Sequence, residues 1–304
     1  MFGIQESIID SNLQTRSVFS PVQAETEMEH RIAFRNYQVA AYSQGNGPVI
    51  VFLHGWPTNA QLWQAQVAFL QDRYRVITLD WLGFGASDQP TEHTYTFTAQ
   101  KEILDTVLKE LVPPEEKVTL VGHDIGGPPT ILWAQENEDR VARLILLNTM
   151  LYTLKTPLDA FSEILLSLPV TKDLFVSNWG LKNVLTTNTK TGHPTTKARI
   201  QELVATYAKA PAALKRQTLE QPMHHGRQTE LKTLAQEFAQ LAVEKHLIIA
   251  KKDPLCYAHI KRLSEENPDV PAHYLEKCGH FIPIDQPEVL NGVLEGILMG
   301  DDAT

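Results

Sequence analysis

An aspartate stands at the centre of a glycine-flanked junction between an apolar run and a helix-like stretch, Val121-Gly122-His123-Asp124-Ile125-Gly126-Gly127. A sharp strand-to-helix turn needs small residues two before and two after its centre, because any side chain there would strike the neighbouring strand or helix. Such a turn lifts the Asp124 carboxylate above the sheet edge. It also leaves the Ile125 N–H at a helix N-terminus, where it can stabilise an anion. Taken alone, Asp124 has another reading as a simple N-cap. Three other features weigh against that. His54-Gly55-Trp56-Pro57 follows an apolar run, and a loop there can aim the Trp56 N–H at the same point as the Ile125 N–H. Asp253 ends a second run, in Ala250-Lys251-Lys252-Asp253-Pro254, and Cys278-Gly279-His280-Phe281 follows a third. An acid at Asp253 can hold the His280 imidazole in one tautomer and stabilise its protonated form. Each feature is common alone, since Asp before Pro and Gly before Pro punctuate loops everywhere. Nucleophile, acid and histidine in that chain order, each at a strand end, make the set specific.

The elements that must position these residues are legible in the hydrophobic pattern. The stretches 48–55, 74–80, 117–124, 143–148 and 245–250 are continuous, apolar and rich in β-branched residues, as strands buried on both faces are. Helical spacing runs through 60–70, 98–111 and 126–138. Residues 30–42 alternate like an antiparallel hairpin at a sheet edge, while 271–276 and 287–298 supply the last strand and last helix. From about Met150 to Thr233 no strand-like run occurs, and helical segments are interrupted by Pro157, Pro169, Gly180, Gly192 and Pro194. The expectation is a parallel sheet wrapped in helices, with a helical insertion folded over one sheet edge. The boundaries read as a loosely packed N-terminal extension (1–28), a core (29–150 and 231–304) and a helical cap (151–230).

The totals exclude several classes. The 304 residues are 43% hydrophobic and 21% charged, an ordinary balance for a chain that buries a large core without disulfides or metals. A formal net charge of −9 repels nucleic acid and anionic membranes, so neither is expected as a partner. The 11 histidines are scattered apart from the adjacent His224 and His225, which rarely close on one ion; no metal or cofactor is expected. Cys256 and Cys278 read as free thiols in a reducing compartment. The N-terminus lacks a basic region followed by an apolar run, and no segment reaches the roughly 18 apolar residues of a membrane span. The expected location is the cytoplasm, as a monomer or homodimer.

In these residues and their order, the chain resembles the α/β-hydrolase superfamily over nearly its whole length. Within it, the chain is similar to the haloalkane dehalogenase and epoxide hydrolase branch, in which an aspartate is the nucleophile. His54-Gly55-Trp56-Pro57-Thr58 followed by Leu62-Trp63 is similar to the dehalogenase HGxPT…LW pattern. Gly83-Phe84-Gly85-Ala86-Ser87-Asp88-Gln89-Pro90 is similar to its GFGxSDxP stretch, and Leu146-Leu147-Asn148-Thr149 has its counterpart before the insertion. The resemblance implies an α/β-hydrolase fold: a mostly parallel, eight-stranded sheet flanked by helices, with a helical cap. It casts Asp124 as nucleophile, His280 as general base, Asp253 as orienting acid, and the Trp56 and Ile125 N–H groups as the oxyanion hole.

A carboxylate nucleophile changes the reaction. It attacks esters poorly, since the anhydride-like product is less stable, but displaces leaving groups at saturated carbon to give an alkyl ester. His280 would then activate a water to hydrolyse that ester, so the partners are a small apolar organic substrate and water. The leaving group stays open. Dehalogenases of this group carry a halide-binding Trp directly after the nucleophile, where this chain has Ile125. Trp56 and Trp179 are candidate replacements and His54 a further candidate contact. Epoxide hydrolases protonate the opening ring with two cap tyrosines. Tyr152 and Tyr207 lie in the insertion but off the family's spacing, and His224 and His225 fall closer to the second tyrosine's place. A dehalogenase-like hydrolase is the first reading and an epoxide hydrolase the alternative. A non-catalytic ligand-binding or sensor protein on this fold, or a conventional ester or lactone hydrolase, are the readings from outside that branch.

Overall fold

The computed structural model describes residues 28–152, 169–189, 194–220 and 231–300. Residues 1–27 of the expected N-terminal extension lie outside them. The alternating stretch forms an antiparallel hairpin of β1 (Met28–Phe34) and β2 (Tyr37–Gln44). It joins β3 (Val49–Leu53), β4 (Arg75–Leu79), β5 (Val118–Asp124), β6 (Val141–Thr149), β7 (Glu244–Ala250) and β8 (Ala272–Leu275) in one 8-stranded sheet. The strand order is β1-β2-β4-β3-β5-β6-β7-β8; β2 meets both β1 and β4 antiparallel, and the other pairs are parallel. Every residue of β3 and β5 is buried, which is why their sequences are continuous apolar runs instead of alternations.

Helices cover both faces: α1 (Gln64–Leu70), after a 3-10 turn at Ala60–Trp63, then α2 (Phe97–Leu111) and α3 (Gly127–Glu136). Between β6 and β7 come α4 (Pro169–Phe175), α5 (Asn178–Thr187), α6 (Pro194–Ala208) and α7 (Ala212–Glu220). The core then resumes with α8 (Leu231–Gln240), α9 (Tyr257–Glu266), α10 (Ile282–Asp285) and α11 (Pro287–Met299). α2 shows how the pattern makes an element. The Thr96 hydroxyl accepts the Ala99 N–H at 3.2 Å, and Ile103, Leu104, Val107, Leu108 and Leu111 form its buried stripe.

The segment from β6 to β7 contains no strand among the described residues, but two of its expected helix breaks are helix starts. Pro169 and Pro194 open α4 and α6, where a missing N–H costs nothing because first-turn donors have no intrahelical partner. Gly180 lies inside α5, and Pro157 and Gly192 fall outside the described residues. The insertion is tied to the core at several points. The Asn188 carbonyl accepts the His280 N–H at 2.7 Å, Gln217 donates to the Thr91 carbonyl at 2.9 Å, and the Arg199 guanidinium reaches the Gln61 carbonyl.

The sheet positions the site through its order. The chain leaves β3 for β4 on one side, then crosses back to β5 on the other. The carboxyl ends of β3 and β5 therefore flank the switch point, where open parallel sheets leave a crevice. The Trp56 loop follows β3, and Asp124 is the last residue of β5.

Candidate active site

Asp124 adopts φ 53°, a left-handed conformation that costs a non-glycine residue about 1–3 kcal/mol and persists only where packing enforces it. The flanking glycines show the enforcement. A Cβ on Gly122 would lie 2.8 Å from the Gly126 carbonyl oxygen, and one on Gly126 would lie 2.6 Å from that of Leu53. The Thr149 hydroxyl, at the end of β6, holds the Asp124 carbonyl at 2.6 Å.

This backbone aims the carboxylate at two N–H groups. Oδ1 accepts the Trp56 N–H at 2.8 Å, and the Ile125 N–H also bonds the carboxylate. Gly55 permits the close approach, since a Cβ there would sit 2.3 Å from the Asp124 Cβ. Oδ2 faces His280 Nε2 at 3.7 Å, too long for a hydrogen bond. On the far side of the ring, Nδ1 lies 2.9 Å from Asp253 Oδ2, and Asp253 Oδ1 accepts the Leu255 N–H at 2.7 Å. The backbone carbonyl of His280 accepts from His123 Nε2–H at 2.9 Å, so the residue before Asp124 tethers the histidine loop. Burial drives the His123 pKa down to about 3, which keeps that ring neutral.

The three titrating groups are coupled. Burial raises the Asp124 pKa, against the opposing pull of the His280 charge and the Ile125 and Trp56 N–H groups. Burial also disfavours the His280 imidazolium, but the charge and hydrogen bond of Asp253, together with the Asp124 charge, outweigh it and hold the His280 pKa above its ordinary value. Burial resists ionisation of Asp253, yet His280 and the Leu255 and Cys256 N–H groups bring its pKa below the usual carboxylate range. The arrangement can offer an anionic oxygen at Oδ2, a base at Nε2, and two fixed donors for charge developing on the Asp124 carboxyl group.

The other residues singled out in the sequence divide sharply. Trp56 is brought to the site by its backbone N–H, and its indole donates to the Tyr207 hydroxyl at 3.0 Å. The indole stacks on Phe175 of α4 with centroids 5.6 Å apart, and Phe84 stacks on Tyr207 at 5.2 Å. Tyr207, on α6, is buried and lies 2.5 Å from the Thr218 hydroxyl. His54 is not a leaving-group contact. Its Nδ1–H donates to the Gly55 carbonyl at 3.0 Å, its Nε2 accepts the Trp81 N–H at 3.2 Å, and burial lowers its pKa to about 4. Trp179 is also excluded, being 67% exposed on the outer surface of α5. Tyr152 is committed elsewhere: its hydroxyl donates to Glu266 at 2.5 Å and the Arg262 guanidinium covers its ring at 4.2 Å. His224 and His225 fall outside the described residues.

Sequence reasoning passed over two residues. Asp80, just past β4, accepts the Ala60 N–H at 2.7 Å and the Ala86 N–H at 2.8 Å, joining the loops after β3 and β4. The signal was present, a carboxylate between an apolar run and a glycine-rich loop. Cys256, read only as a free thiol, places Sγ 4.0 Å from Asp124 Oδ2, and nothing in its sequence neighbourhood announces that.

A family model described as alpha/beta hydrolase fold matches residues 48–287, and the chain belongs to that family. Haloalkane dehalogenase 2 of Mycobacterium tuberculosis is 29% identical over 251 residues, 81% of this chain and 86% of that protein. A soluble epoxide hydrolase of Corynebacterium sp. is 33% identical over 126 residues, 40% of this chain and 42% of that protein. Among solved structures, haloalkane dehalogenase DatA from Agrobacterium tumefaciens superposes with a TM-score of 0.78 at 22% identity, covering 91% of this chain and 98% of that one. The chain is therefore a hydrolase of the alpha/beta-hydrolase family, with a haloalkane dehalogenase and an epoxide hydrolase among its relatives. The non-catalytic sensor reading is set aside. No helix among the described residues is long and apolar enough to cross a membrane.

Proposed function

We propose that the chain displaces a leaving group from saturated carbon through a covalent alkyl ester on Asp124, as a haloalkane dehalogenase-like enzyme. One observation carries this: the donors of the two anion-binding loops are occupied by the chain's own carboxylate, with the Trp56 N–H on Oδ1. In an acyl-transfer site such donors await the carbonyl oxygen of the substrate. Here they stand where negative charge would form if water attacked an Asp124 ester. In the first step Oδ2 bonds to the substrate carbon as the leaving group departs with its electron pair. In the second, His280 Nε2 takes a proton from water, and the hydroxide adds to the Asp124 carboxyl carbon. Charge gathers on Oδ1 under the Trp56 and Ile125 N–H groups. Collapse then expels the alcohol oxygen, which takes the proton back from His280. The 3.7 Å gap at Oδ2 suits this division, since His280 never deprotonates the nucleophile.

With Ile125 after the nucleophile, the donors left to hold a leaving halide would be the buried pair joined by a hydrogen bond, the Trp56 indole N–H and the Tyr207 O–H. The relative aligned along most of the chain supports this reading first. Tyr207 supports a second, epoxide opening. Burial pushes its pKa up, so the hydroxyl stays protonated and able to donate a hydrogen bond to a departing oxygen. The helices between β6 and β7 would act as the cap that supplies it.

His280→Gln protein incubated with pools of terminal haloalkanes and epoxides tests both readings by intact mass and peptide mapping. A stable adduct on Asp124 is expected. The mass of an alkyl group indicates a departed halide, and the mass of a whole epoxide indicates ring opening. No adduct, with no halide or diol released by wild-type protein, would overturn the proposal.

A further inference from the structure

The buried donors around Asp124 have a use besides hydrolysis. Asp124, Cys256 and His280 each present one ligand atom, and the three atoms lie within 4.8 Å of one another. We propose that these residues form an inhibitory site for a soft divalent cation such as zinc, closed by Asp124 Oδ2, Cys256 Sγ and His280 Nε2. The binding itself does not rest on the reaction proposed above.

The spacing carries the inference. Tetrahedral zinc with bonds of about 2.0–2.1 Å to nitrogen and oxygen and about 2.3 Å to sulfur needs a nitrogen-to-oxygen edge of roughly 3.4 Å and a sulfur-to-oxygen edge of roughly 3.6 Å. The observed separations are 3.7 Å from His280 Nε2 to Asp124 Oδ2 and 4.0 Å from Cys256 Sγ to the same oxygen. Side-chain adjustments of a few tenths of an ångström close both. The fourth position would be left to water, as at an open zinc site.

The surroundings suit a cation as well. His280 Nδ1 is 2.9 Å from Asp253 Oδ2, the carboxylate–histidine pairing that fixes the tautomer presenting Nε2 to a metal. All three ligand residues are buried, so uncompensated charge would be costly. One divalent cation offsets the Asp124 carboxylate and the Cys256 thiolate, the Cys256 proton and the Nε2 proton of a charged His280 being released to solvent as the ion binds. Sulfur in the set selects soft ions over magnesium or calcium. The three donors come from β5 and from the loops after β7 and β8, so no local spacing in the sequence announced them. A bound ion would occupy Oδ2 and Nε2 together, removing the free carboxylate oxygen and the base at once.

Cobalt(II) is the probe, added anaerobically to the full-length protein while absorption is followed. The expected result is one equivalent bound with a near-ultraviolet thiolate-to-cobalt band, erased by zinc and matched by loss of hydrolase activity at the same occupancy. Cys256→Ala should abolish the band and Cys278→Ala should retain it. Asp253→Asn should weaken binding by about tenfold to a hundredfold through the lost support of His280. Absence of the thiolate band in wild-type protein, a test independent of any variant's folding, or its persistence in folded Cys256→Ala would each overturn the proposal.

Discussion

With one Asp124 oxygen fixed by a backbone N–H, the other is left facing His280 across a gap too wide for a hydrogen bond. The coupling of these groups gives the site a pH signature. In the free enzyme the His280 pKa stands above its ordinary value, raised by Asp253 and by the charge on Asp124. In the proposed alkyl-enzyme the Asp124 charge is gone and Asp253 remains, so the His280 pKa would fall. Water activation needs the neutral ring, and ester hydrolysis is lost as pH drops through the lower of the two values. NMR titration of His280 in the free enzyme should therefore give a higher midpoint than the acid limb of the single-turnover ester-hydrolysis rate. Equal midpoints would mean that Asp124 is not the group that changes charge. Asp124, Asp253 and His280 were legible in the sequence because each ends or follows a recognisable strand. Tyr207 carried no such mark, since its approach to Trp56 depends on how α6 folds across the core.

At the scale of elements, buried parallel strands announce themselves, and the expected runs fall within about two residues of β3 to β8. In β3 and β5 the bounds follow from continuous burial, which the sequence records directly. Helix limits in the insertion were harder to read, because a proline that stops one helix is chemically identical to one that starts the next. The Asp80 hub was harder to read for a related reason: a carboxylate between an apolar run and a glycine-rich loop marks the residue, but not which loop N–H groups it will hold. Burial raises its pKa to about 6 despite the Ala60 and Ala86 N–H groups and the Tyr42 hydroxyl. Replacing Asp80 by Ala leaves those two N–H groups without their acceptor at about 1–3 kcal/mol each. Chemical denaturation should show a loss of about 2–6 kcal/mol, with activity falling further than stability as the Trp56 loop loses its anchor. A stability change under about 0.5 kcal/mol, the usual range for an inconsequential surface substitution, would contradict this role.

Across the whole molecule, the insertion and the core meet at the site itself. The His280 N–H bonds the Asn188 carbonyl, and the Trp56 indole bonds Tyr207 while stacking on Phe175. The anion-binding loop and the helices above it are thus joined by one side chain. Tyr207→Phe keeps the packing and removes the hydroxyl, leaving the buried indole N–H unpaired at about 1–3 kcal/mol. If epoxides are substrates, the same change should slow alkylation by about a hundredfold or more, the usual contribution of a positioned general acid. Haloalkanes should be slowed less, since a halide leaves without a proton. Equal losses on both substrates would mean that Tyr207 holds the insertion in place and donates nothing.

The central claim is that water attacks the protein and not the substrate. A single turnover in oxygen-18 water, with enzyme in excess over a substrate that alkylates His280→Gln, tests it by mapping the peptide that contains Asp124. The account predicts one labelled oxygen in the Asp124 carboxylate and an alcohol product carrying unlabelled oxygen from the protein. Label in the alcohol with none in Asp124 would mean that water displaced the leaving group directly, and the alkyl-enzyme account would be wrong.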